Sequence, residues 1–125
     1  MSKTALIVDD SRTMRQMVAF TLKNAGFTVI EAEDGKDAVK KVQAAGDINL
    51  DIVVTDLNMP EMDGIALIKE LRKLTTFKFT PILMLTTEAA MEKKKEGKEA
   101  GATGWIVKPF NPEVLLKTIA KVLPA

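Results

Sequence analysis

A chain of 125 residues, 46% hydrophobic and 28% charged, has room for one buried core and enough polar surface to dissolve it, so a single domain over residues 1–125 is expected. The 18 basic and 17 acidic residues nearly cancel, giving no reason to expect a nucleic-acid partner, and no apolar run is long enough to span a membrane. With neither cysteine nor histidine, the sequence excludes disulfides, thiolate and imidazole metal sites, Ser-His and Cys-His pairs, and a phosphohistidine made on this chain.

The N-terminus runs from TALIV (4–8) straight into Asp9 and Asp10, too soon for a secretory signal, and a cytoplasmic location is expected. Ser11 can cap a helix through about Ala25, with Met14, Met17, Val18 and Leu22 at helical spacing and Gly26 as its stop. FTVIEA (27–32) is strand-like, and Ala38, Val39 and Val42 line a second helix ending near Gly46. IVVT (52–55) is β-branched throughout, the pattern of a strand buried on both faces. Ile65, Ile68 and Leu71 mark a third helix, and PILML (81–85) a fourth strand. A polar helix is expected over roughly 88–100, with a thin apolar stripe, an interior Gly97 and Lys93, Lys94, Lys95 and Lys98 on a solvated face; its weak hold predicts the most mobile helix. GWIV (104–107) gives a fifth strand, and Asn111 with Pro112 opens the last helix.

Strict alternation of five strands with five helices predicts an α/β fold, a doubly wound parallel sheet. In such sheets ligands sit beyond the carboxyl ends of the strands. That edge would gather Asp9 and Asp10 from the first strand, Asp56 from the third, Thr86 from the fourth and Lys108 from the fifth. Taken alone, Asp9 and Asp10 read better as acids at a helix N-terminus, and Asp56 can be a turn residue. Together with a lysine at the end of another strand they are harder to explain that way.

Three carboxylates in one cleft raise one another's pKa unless a cation compensates. With only oxygen ligands available, the cation is a hard one, Mg²⁺ or Mn²⁺. Asp10 and Asp56 are expected as direct ligands, the main-chain carbonyl of Asn58 as a third, and Asp9 through water. Lys108, in VKPF, can neutralise an anion held there, and Thr86 or Thr87 can offer it a hydroxyl, although Thr87 reads better as a helix cap. Cation, ammonium and hydroxyl around a carboxylate form a cradle for a phosphoryl group, with the carboxylate as a possible nucleophile. DLNMPEMDG does not fit a calcium loop, and the absence of GxGxxG and GxxxxGK[ST] argues against a bound nucleotide.

LIVDDS, VVTDLNMPEMDG, MLTTEA and GATGWIVKPF, in this order and spacing over the whole chain, resemble the receiver domain of two-component response regulators. Nothing is left over for an output domain, so the resemblance is to the single-domain, CheY-like chemotaxis type. It implies a flavodoxin-like sheet in the order 2-1-3-4-5, which is borrowed from that likeness. It also implies Asp56 as phosphoacceptor from a CheA-like histidine kinase, Asp9 and Asp10 holding Mg²⁺ with the Asn58 carbonyl, Thr86 following the phosphoryl group and Lys108 pairing with it. Trp105 stands where such domains usually carry Tyr or Phe as a switch, next to a face made by helix four, strand five and helix five.

The partners implied are the kinase, a downstream target such as a flagellar motor switch protein, and a phosphatase; a monomer is the simplest state. A signalling switch, not an enzyme, is therefore expected. The alternatives are a Mg²⁺-dependent phosphotransferase or phosphatase with an aspartyl-phosphate intermediate, and a phosphate shuttle or sink. Enzymes of that kind usually place a second acid two residues after the nucleophile, where this chain has Asn58.

Overall fold

The computed structural model describes residues 3–46, 49–59, 62–87 and 92–123. Strands and helices alternate: β1 Thr4–Val8, α1 Arg12–Asn24, β2 Thr28–Ala32, α2 Gly35–Ala45, β3 Ile52–Asp56, α3 Gly64–Lys73, β4 Ile82–Thr87, α4 Lys94–Ala100, β5 Gly104–Lys108 and α5 Pro112–Val122. The strands pair in parallel as one sheet in the expected order, β2-β1-β3-β4-β5.

Successive residues of a strand face opposite sides of the sheet, so each apolar strand feeds two cores. Leu6 and Val8 of β1 and Val53 of β3 join the core under α2 and α3, with Ala38, Val42, Ile65, Ile68 and Leu71. Ala5, Ile7 and Val54 join the other, under α1 and α5, with Val18, Leu22, Leu115 and Ile119. β3 is buried along its whole length, which is why its sequence lacks the polar alternation of a half-exposed strand.

The helix starts follow side-chain chemistry legible in the sequence. Ser11, Asp34, Asp63 and Asn111 each accept a hydrogen bond from the backbone N–H three residues on, satisfying a donor that the first turn leaves free. Pro112 follows the Asn111 cap, where its missing N–H costs nothing.

Two boundaries differ from expectation by more than one residue. β4 runs to Thr87 and does not end at Leu85, because Thr86 and Thr87 keep pairing with Val107 and Lys108; Thr87 is therefore the last residue of a strand. The described part of α4 begins at Lys94, after a tighter turn through Glu92 and Lys93, and has no side-chain cap. The expected start at Glu88 lies outside the described residues. A short 3-10 turn at Thr75–Phe77 gave no sequence signal.

That turn is held by Arg72, on the last turn of α3. Its Nη1 donates to the carbonyls of Phe77 and Thr80 at 2.7 Å each and of Lys78 at 3.2 Å. Its Nε and Nη2 both donate to the carbonyl of Gly101 at the end of α4, at 3.2 and 2.7 Å. No helix among the described residues is long and apolar enough to cross a membrane.

Candidate functional site

At the carboxyl edge of the sheet, one carboxylate oxygen from each of Asp9, Asp10 and Asp56 lies within 4.8 Å of the others. Asp56 is the last residue of the central strand and Asp9 follows β1, its neighbour in the sheet; both are buried, whereas Asp10 is exposed. Strand pairing places these acids side by side, so the expected gathering of the three is observed.

Lys108, the last residue of β5, reaches across from the sheet edge, and its Nζ donates to Asp56 Oδ1 at 2.9 Å. It lies 3.8 Å from Asp9 Oδ2, too far for a hydrogen bond. One oxygen of Asp9 accepts from the Ser11 N–H at 2.9 Å; the other, Oδ2, is the only buried side-chain oxygen or nitrogen among the described residues without a partner. A single ammonium faces three carboxylates, leaving a formal excess of two negative charges.

Burial pushes the Asp56 carboxyl above the usual carboxylate range; the bond and charge of Lys108 oppose this, and Asp10 adds to it. Asp9 is pushed up for the same first reason, against the Ser11 N–H, with the charge of Asp56 raising it further. A raised carboxylate takes up protons in the folded chain before it would in the unfolded one. Its favourable contribution is therefore complete below about 3.8, the unfolded value, and is lost as pH rises through the folded value. At neutral pH both acids are consequently a source of instability that a cation can relieve.

The residues fit a hard divalent cation: the donors are all oxygen, they converge, they carry the opposite charge and one of them is buried without a hydrogen-bond partner. Protons then compete with the ion for Asp9 and Asp56. Titration calorimetry should show divalent-ion binding weakening as pH falls, with the loss beginning above the pH at which carboxylates of the ordinary value of 3.8 take up protons; a loss that tracks the ordinary value would mean that the two acids are not raised.

The other expected residues divide. Asn58, two residues beyond Asp56, is exposed, with its backbone on the same edge. Thr86 is buried, but its hydroxyl is turned to the Thr87 carbonyl at 3.2 Å and not to Asp56. Trp105 is partly buried against the core on the α3 side.

Two supporting residues were not visible in the sequence. Arg15 of α1 donates to the main-chain carbonyl of Asp9 at 2.7 Å and pairs with Glu31 of β2 at 3.4 Å, tying the acidic turn to the neighbouring strand. Gly64 opens α3 against the backbone of the site: a Cβ there would lie 2.5 Å from the Asp56 carbonyl oxygen and 2.8 Å from Met84 Sδ, so no side chain fits. The Asp63–Gly64 pair in MDG is the only sequence sign of that approach.

Comparisons with known proteins identify the family. The profile of the response regulator receiver domain matches residues 5–120. The chemotaxis protein CheY1 of Helicobacter pylori is 43% identical over 119 residues, 94% of each chain. The chemotaxis protein CheY of Pseudomonas aeruginosa is 42% identical over 118 residues, 94% of this chain and 93% of the other. A high-resolution structure of the chemotaxis response regulator CheY4 of Vibrio cholerae superposes with a TM-score of 0.91 at 52% identity, covering 98% of this chain and all of that one. With its sheet order, its acidic edge and a profile match along almost all of its length, this chain belongs to the family of response regulator receiver domains.

Proposed function

We propose that the chain is a single-domain, cytoplasmic response regulator of the chemotaxis type, which takes a phosphoryl group on Asp56 and passes the signal on by changing shape. One observation carries the reading: Asp9, Asp10 and Asp56 converge with Lys108 on the edge where parallel sheets bind ligands, and buried Asp9 Oδ2 has no hydrogen-bond partner. Receiver domains are signalling proteins that accept phosphate on an aspartate from a kinase, and chemotaxis is named for several relatives of this chain.

In the reaction proposed, an Asp56 carboxylate oxygen attacks the phosphorus of a kinase phosphohistidine. An O–P bond forms, the P–N bond breaks, and the departing imidazole takes up a proton. Lys108 keeps Asp56 ionised before transfer and afterwards pairs with the phosphoryl oxygens. Thr86 turns its hydroxyl from the Thr87 carbonyl to the same group. Asp9, Asp10, Asp56 and the Asn58 carbonyl would hold Mg²⁺. Bound there, Mg²⁺ supplies positive charge that lets the anionic donor approach an anionic nucleophile. The partners are a histidine kinase and a downstream protein, for which a flagellar motor switch protein fits the chemotaxis assignment.

The enzyme alternative, steady hydrolysis of phosphate esters through an aspartyl phosphate, lacks the usual second acid, since that position is Asn58. Acetyl phosphate labelling distinguishes the readings. With Mg²⁺ the chain should take up at most one phosphoryl group, mapped to Asp56 by mass spectrometry, and with EDTA none. Labelling independent of divalent ions would overturn the metal assignment. Sustained ester turnover would favour the enzyme.

A further inference from the structure

The described part of α4, Lys94–Ala100, buries one residue, and that residue is Gly97, which brings no side chain to the core. Its neighbour Ala100 packs only partly buried against the α3 side. What covers Gly97 is Trp105 of β5. A Cβ at position 97 would lie 3.2 Å from Cζ2 of the indole and 3.8 Å from both Cε2 and Nε1, so the ring rests on nearly bare helix backbone. Lys94, three residues earlier and hence on the same face of the helix, places its Nζ 5.5 Å from the ring centroid. On its other side, Trp105 is paired with Met84 of β4 and packs against the core.

The indole thus occupies the space that an apolar side chain of α4 would ordinarily fill. We propose that Gly97 and Lys94 form a seat for Trp105, and that this seat, more than α4's own side chains, determines where α4 lies. Gly97 and Lys94 are then positioning residues for the switch aromatic. A bulkier ring at 105 goes with the absence of a side chain at 97. A movement of Trp105 must carry α4 with it or unseat it; this last consequence rests on the phosphotransfer reading, whereas the seat itself does not.

The bland account of Gly97 is that it merely weakens a solvated helix. The two accounts give opposite signs for Gly97→Leu. Leucine is a much better helix former than glycine, so propensity alone predicts a firmer α4. The seat predicts that the new side chain collides with the indole and loosens it.

The test uses the full chain without divalent ions and reads tryptophan emission together with amide hydrogen exchange. Gly97→Leu should shift the emission of the sole tryptophan to the red and lower α4 protection by about tenfold or more, the usual consequence of overpacking, with α3 unchanged. Gly97→Ala should do the same to a lesser degree. Lys94→Ala should lower protection by about twofold, as loss of an exposed cation-π contact does. Trp105→Phe should also loosen α4, and it decides the matter if Gly97→Leu does not fold.

Greater α4 protection in Gly97→Leu, or unchanged protection in Trp105→Phe, would overturn the seat. Acetyl phosphate with Mg²⁺ is then added to wild type and Gly97→Leu. Equal labelling of Asp56, with wild-type emission moving towards that of the variant, supports release of the seat by phosphorylation. Labelling of neither protein counts against phosphotransfer and leaves the seat to be judged on the ion-free data.

Discussion

Asp56→Asn is expected to abolish phosphoryl uptake and, at the same time, to raise the melting temperature of the ion-free protein. The first effect follows from chemistry, since an amide oxygen is too weak a nucleophile to displace imidazole; labelling by acetyl phosphate should fall to background. The second follows from the charge imbalance. Asparagine keeps an oxygen within reach of Lys108, whose Nζ now lies 2.9 Å from Asp56, yet removes one of three carboxylates gathered around a single ammonium. Because burial dominates the raised pKa of Asp56, removing the charge should stabilise the fold at neutral pH by roughly 1–2 kcal/mol. Calorimetry in EDTA should show this as a gain of about 5 °C. In the same scans, added Mg²⁺ should stabilise wild type more than the variant. Labelling that persists would assign the acceptor to another carboxylate, and a lower melting temperature would mean that the Lys108 pair outweighs the cost of burial.

The second large effect concerns stability alone. Arg72→Met should lower stability by about 3 kcal/mol, since it strips a charged donor from the carbonyls of Phe77, Lys78, Thr80 and Gly101 at once. Phe77 and Thr80 are buried, so water cannot readily replace the lost bonds. A chain of this size has only about 5–15 kcal/mol in hand, and melting should fall by roughly 10 °C. Arg72→Lys should recover little, because a point charge cannot fork to carbonyls on two sides. Urea denaturation is the direct measurement. A loss under about 1 kcal/mol would show that the network is redundant.

These two residues also mark what sequence reasoning reached. Asp56 was legible because function concentrates on strand ends: an apolar run closing on an acid, repeated at Asp9 and answered by Lys108, points to one edge of an alternating fold. The caps at Ser11 and Asn111 were legible because they act over three residues; those at Asp34 and Asp63 act over the same span and were not read. Arg72 left no such trace. Its partners lie up to 29 residues away and are all main-chain carbonyls, which any amino acid supplies. The same holds for Arg15 on the Asp9 carbonyl.

Glycines were legible only as helix breakers. The expectation for Gly97 was a weak, mobile helix, whereas the structure shows a ring lying on it, a contact that depends on a strand eight residues further on. The reach of β4 to Thr87 was missed because a threonine pair before an acid reads as a helix cap until its parallel partner is known.

Pleating has one more effect. Thr86 and Met84 are two apart on β4, and Met84 pairs with Trp105, so hydroxyl and indole project from the same side of the sheet on adjacent strands. Asp56, one strand further in, adjoins Leu85, the residue between them in sequence. Under the proposed phosphotransfer, the acid, the hydroxyl and the indole that would have to act together therefore stand on three adjacent strands, about two strand widths or roughly 10 Å apart.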